Sequence, residues 1–161
     1  MIFVTIGSMF PFDRMIRAMD AWAAEAAGDE EILAQIGEGA FEPRHMTWVR
    51  RLERPDYAAA VARARLIVAH AGVGSVVSAG EQGKPIVVLP RRAARGEHTS
   101  DHQVETAGWL RGKPGVQVAE GEADLPACIA AAVAGAAGGE RIPRAADPEL
   151  IARIRRFIEA G

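Results

Sequence analysis

The chain has 161 residues, 49% of them hydrophobic and 25% charged, with a net charge of −2. That length can bury a core without disulfides or metal, and that balance excludes a disordered chain and gives no support to a nucleic-acid partner. The longest apolar runs, LIVA and PIVVL, are too short to cross a bilayer, and the first residues lack the basic region and long apolar stretch of a secretory leader, so a cytoplasmic protein is expected.

Residues 2 to 6, IFVTI, form a β-branched run that stops at Gly7, and Met15, Ile16, Met19, Trp22 and Ala23 recur at helical spacing after Asp13. Two weaker strands, EILAQI and HMTWV, follow. Pro55 then opens a helix whose Ala58, Ala59 and Ala62 share one face. LIVAH is the next strand. Beyond it the pattern predicts helix over 72–82, strand over 85–89, helix over 101–110, strand over 116–118 and helix over 125–134. Strands alternate with helices and are continuously apolar, which predicts an α/β fold with a mostly parallel, doubly wound sheet buried on both faces. The lone Cys128 sits in an alanine-rich helical pattern and reads as a small core residue. One domain is expected: a core over 1–135, a glycine-containing linker over 136–146, and a final helix over 147–161. Asp147 and Pro148 would cap that helix, and Leu150, Ile151, Ile154, Phe157 and Ile158 would form an apolar stripe, packed on the sheet or docked on another chain.

The stretch HAGVGSVVSAGEQGKPIVVLP, residues 70–90, concentrates the chemistry. In an open α/β sheet, ligands bind beyond the carboxyl ends of the strands, which is where His70 and the turn Gly72-x-Gly74-Ser75 fall. Small glycines let a ligand approach the backbone, and the free N–H groups of a helix start suit a phosphate or pyrophosphate. A Walker loop is excluded because Gly83-Lys84 runs into Pro85 and a strand. A dinucleotide fingerprint lacks its third glycine, where Val77 stands, although Arg91 and Arg92 after the next strand leave an NADP-binding oxidoreductase or sensor as an alternative. His98 and His102, with Asp101 between them, have a spacing that suits zinc on one helix face. No HExxH pattern accompanies them, and a metal site ranks well below ligand binding. There is no Gly-x-Ser-x-Gly elbow for a serine hydrolase.

The His70 turn, the helix after it, Gly83-Lys84-Pro85, the strand IVVLP and then Asp101-His102-Gln103 together resemble the glycosyltransferase family 28 C-terminal domain, the Rossmann-like donor-binding half of GT-B glycosyltransferases. The opening IFVTIGSMFPFDRMIRAMD resembles the short, single-domain members. These are of the type seen in the catalytic subunit of the dolichol-pathway N-acetylglucosaminyltransferase and in bacterial exopolysaccharide β-1,4-glucuronosyltransferase subunits.

The resemblance implies a metal-free site with no cofactor beyond a UDP-sugar substrate. Gly7, Ser8, His70, Gly72, Gly74 and Ser75 would hold the donor diphosphate, and His70 and Ser75 would act on the leaving group. Asp101, His102 and Gln103 would bind the sugar. Where the family places a ribose-binding glutamate this chain has Ser78, with Glu81 one turn further on as a substitute. Arg91, Arg92 and Arg95 read as solvated loop charge or as contacts to a carboxylate or phosphate. The resemblance also implies a partner: a membrane-attached, acceptor-binding subunit that holds the chain at the inner face of the membrane and presents a lipid-linked saccharide. The loop Met9-Phe10-Pro11-Phe12 and the final helix are the expected contact surfaces, unless the loop is buried in its own core. A scaffold of the same fold that no longer binds donor is the remaining alternative.

Overall fold

The computed structural model describes residues 1–135, so the expected linker and final helix lie outside the described residues. Six strands form one sheet: β1 (Ile2–Thr5), β2 (Ile32–Gln35), β3 (Thr47–Val49), β4 (Leu66–His70), β5 (Ile86–Leu89) and β6 (Val116–Val118). Their order is β3-β2-β1-β4-β5-β6, and every pairing is parallel. The chain starts at β1, builds outward to β3, then crosses back to β4, so the order reverses between β1 and β4. That switch point opens a crevice at the carboxyl edge, where the two strand ends lead in opposite directions.

Five α-helices cover the sheet: α1 (Asp13–Ala26), α2 (Arg54–Arg63), α3 (Val73–Glu81), α4 (His102–Leu110) and α5 (Leu125–Gly135). Strand alternation sorts the core into two layers. Ile2, Val4, Leu66, Val68, Val87 and Leu89 point to the face covered by α1 and α5, where Met15, Ile16, Met19 and Ile129 pack on them. Phe3, Ile67, Ala69, Ile86 and Val88 point to the other face, against Val61 of α2, Ala79 of α3, and Ala107 and Leu110 of α4. Covered on both sides, β1 and β5 are buried at every position, which is why their sequences are continuous rather than alternating. Cys128 packs beside the first layer as an expected small core residue.

The segment between β2 and β3 has no regular structure, and α1 holds it with two carboxylates seven residues apart on one face. Asp13 accepts from the Ala40 and Phe41 N–H groups at 3.1 and 3.2 Å. The buried Asp20 accepts from Arg44 and His45 at 2.9 and 2.7 Å. Removing Asp20 leaves two part-buried N–H groups unpaired, so Asp20→Ala should cost about 1–3 kcal/mol in denaturant unfolding. Amide exchange should quicken at Arg44 and His45 well before it does in β1.

Candidate functional site

A cleft of about 640 Å³ opens at the carboxyl edge, at the switch point between β1 and β4. The sheet order sets its walls. Gly7, Ser8, Met9 and Phe10 come from the chain leaving β1, and His70, Gly72, Gly74, Ser75 and Ser78 from the β4–α3 junction. Leu52, Arg54 and Tyr57 form one end, on the segment that runs from β3 into α2. His98, His102 and Gln103 form the other, beyond β5. Among the described residues no Asp or Glu lines the cleft, although the chain as a whole is slightly acidic.

At the centre the imidazole of His70 is wedged between two glycines. A Cβ on Gly72 would lie 2.2 Å from Nε2, and one on Gly7 would lie 2.7 Å from Cε1. Gly7 also has φ +75, in the left-handed region, so a side chain there is excluded twice over. Gly72 therefore admits a ring rather than a ligand, which refines the sequence expectation. Gly74 is the open one, with nothing within 4 Å of its Cβ position.

Burial and then the neighbouring Arg91 charge push the His70 pKa down to about 4, with the Thr5 carbonyl opposing them weakly. The ring is therefore neutral at neutral pH. Its buried Nδ1 makes no well-formed hydrogen bond among the described residues. Above it, α3 begins at Val73 after the N-cap Gly72 with no side-chain cap, so the Val73 and Gly74 N–H groups have no acceptor among the described residues. Ser75 follows, buried in the first turn.

Arg91 is fully buried below the cleft, and its guanidinium donates to four main-chain carbonyls: Ile6 at 2.8 Å, Phe10 at 2.6 Å, Pro11 at 2.5 Å and Glu97 at 3.2 Å. Its charged carbon lies 4.6 Å over the Phe12 ring. Burial lowers its pKa to about 10, partly offset by Glu97, which still leaves it a cation. Arg91 lines the cleft, but both terminal nitrogens of its fork are already spent on main-chain carbonyls, so what the structure shows of it is a brace between two loops. Arg92 donates to the Glu120 carbonyl and Arg95 pairs with Glu122, and neither lines the cleft. The dinucleotide alternative loses the arginines it rested on.

The other expected residues divide. His102 and Gln103 line the cleft. Asp101 does not, because its carboxylate accepts from the Ala93 N–H at 2.8 Å and braces the loop after β5. Buried Gln103 accepts from the Arg91 N–H at 3.2 Å. His98 stacks edge-on to His102, ring centroids 4.3 Å apart, and to Phe10 at 5.1 Å. The Thr99 N–H donates to His98 Nδ1 at 2.9 Å, so neutral His98 carries its proton on Nε2. Ser78 lines the cleft, whereas Glu81, at the end of α3, does not. The Met9 to Phe12 loop is split: Met9 is 79% exposed, while Phe12 is a core residue.

Gln35, Leu52, Arg54 and Tyr57 were not singled out from the sequence. Gln35 is the informative one, a buried amide at the end of an apolar strand. Its Nε2 donates to the Gly7 carbonyl at 3.1 Å, and its Oε1 accepts from the Leu52 N–H at 3.1 Å, tying two walls together. A polar residue ending a buried strand was the available signal.

The model of the glycosyltransferase family 28 C-terminal domain matches residues 1–113. The chain belongs to this family. Solved structures with the same fold include the glycotransferase of kitacinnamycin (18% identity, TM-score 0.61), the calicheamicin glycosyltransferase CalG4 (17%, 0.56) and the spinosyn forosaminyltransferase SpnP (16%, 0.53). The alignments cover 84–85% of this chain but only 36–37% of theirs, so it spans little more than a third of such an enzyme. No curated protein sequence matches closely enough to report. Family and fold together support a glycosyltransferase donor-binding half.

His70 gives a pH signature. Its folded pKa lies below the ordinary histidine value of 6.5, so the unfolded chain binds the extra proton and stability falls as pH drops from about 6.5 toward about 4. Unfolding free energy should decrease by about 2 kcal/mol between pH 7.5 and 5.0, and His70→Gln should lose most of that slope.

Proposed function

We propose that this chain is the donor-binding catalytic subunit of a two-part, inverting glycosyltransferase that moves a sugar from a UDP-sugar to a lipid-linked saccharide. The observation that carries the reading is the cleft itself: free helix-start N–H groups and a buried neutral histidine, in a crevice that no carboxylate of the described residues lines. A diphosphate is the group such a lining accepts best, since any lining carboxylate would repel it and each orphan donor needs an acceptor.

A ligand with its diphosphate at the centre has its two ends assigned by the walls. The nucleoside meets Leu52, Tyr57 and Arg54, and the sugar meets His98, His102 and Gln103. As the anomeric bond breaks, negative charge grows on the diphosphate. The fixed N–H groups of Val73 and Gly74, with the Ser75 hydroxyl and the His70 ring, hold that charge without having to reorganise. Neutral His70 acts by donating a hydrogen bond, and the arriving diphosphate favours its protonated form as well.

Inversion also needs a base at the acceptor hydroxyl, and none of the groups around this cleft is a carboxylate suited to that task. A chain spanning little more than a third of the enzymes it resembles is suited to obtaining that base, and the acceptor, from a partner. In this reading the partner is a membrane-attached subunit that keeps the chain at the cytoplasmic face of the membrane. The exposed Met9 beside the cleft and the exposed Val73 at the α3 start suit such a cover.

Gly74 provides the test. An alanine there meets no atom of the protein and favours the helix, so Gly74→Ala should be neutral or stabilising by about 0.5 kcal/mol. The same methyl should weaken UDP-sugar binding severalfold in calorimetric titration, because it occupies the diphosphate's approach. Unchanged binding would remove the diphosphate from this helix start. Mixed with a lipid-linked acceptor, the chain should turn over only when the partner is added; full activity of the single chain would refute the two-part arrangement.

A further inference from the structure

Among the described residues two arginines line the cleft, and they differ in what they are free to do. Arg91 spends both terminal nitrogens on main-chain carbonyls. Arg54 is exposed and has no polar partner among the described residues. Beside it stand half-buried Leu52 and Tyr57, the latter held edge-on to Phe3 at 5.4 Å and 76°. That aromatic wall is therefore fixed by the core rather than free to swing. Gln35 adds no free acceptor here, since its carbonyl oxygen is taken by the Leu52 N–H.

This end of the cleft thus combines an apolar and aromatic wall with a planar group that can only donate. A planar ring fits the wall, and its edge must carry acceptors to satisfy the guanidinium. Resting on the nucleotide-sugar reading above, we infer that Arg54 is a specificity-determining residue that reads the edge of the nucleobase. It favours a base with carbonyl oxygens on that edge, as in a pyrimidinedione, over one that presents an amino group. A cytosine amino group would set donor against donor.

The test compares UDP with CDP, which share ribose and diphosphate, so contacts to those groups cancel in the ratio. Ligand-detected NMR titration of the whole chain, sensitive to millimolar affinity, should show UDP bound about five- to tenfold more tightly. Arg54→Gln, whose amide both donates and accepts, should bring the ratio close to one; Arg54→Lys should keep its direction. Equal affinities in the wild type, or a ratio unchanged in Arg54→Gln, would overturn the assignment. An equal loss for both nucleotides would overturn it too, placing Arg54 on a phosphate. Those outcomes leave UDP binding itself intact, whereas a wild-type chain that binds neither nucleotide defeats the nucleotide-sugar reading and this inference with it.

Discussion

A buried guanidinium holds the site together. Taking an arginine out of water is costly unless its donors find acceptors, and both terminal nitrogens of Arg91 find carbonyls from the segment after β1 and the loop after β5. Those two segments are brought near each other by the crossover between β1 and β4, and without a tie they would be two independent loops at the sheet edge. The tie extends outward. Glu97, whose carbonyl receives Arg91, uses its carboxylate on Arg14 at 2.6 Å, and Arg14 also reaches the Pro90 carbonyl at 2.9 Å and Glu122 at 2.8 Å. A hydrogen bond from the Glu122 main chain, then those from Arg14 and Arg95, hold the Glu122 carboxyl down to about 2, so this outer clamp stays charged over the whole range in which the fold is expected to work.

The consequence for the cleft is electrostatic. A cation fixed beneath the floor, a histidine held neutral beside it and a helix start above it all favour negative charge, and no carboxylate in the lining cancels them. A permanently charged histidine would have bound anions in the resting state. A neutral one offers a ligand a hydrogen bond without holding an anion of its own.

Much of this was legible in the sequence, and the reason is periodicity. Strands buried on both faces leave continuous Val and Ile runs, and helices that cover them leave stripes, so the element order and the doubly wound sheet follow from residues such as Ile2 to Ile6 and Leu66 to Ala69. The turn at residues 70–75 was equally readable, because strand, glycines and helix start fall in sequence order. What could not be read were the contacts between distant segments. Arg91 looked like loop charge because the four carbonyls it meets lie 6 or about 80 residues away in the chain. The resemblance makes Asp101 a sugar ligand, and nothing in the chain announces that its carboxylate also turns back to Ala93. The Leu52 to Tyr57 wall went unnoticed for the same reason: it reaches the cleft only once α2 is packed against Phe3.

The account rests on an anionic group sitting over the His70 floor at the start of α3. The most direct test is an amide-resolved NMR titration of the chain with a UDP-sugar. The account predicts that the Gly7, Val73 and Gly74 amides shift together and saturate with one affinity, while the Arg14, Arg17 and Arg95 surface on the other side of the clamp stays still. Shifts confined to that surface, or none near Gly74 at saturating nucleotide, would contradict it.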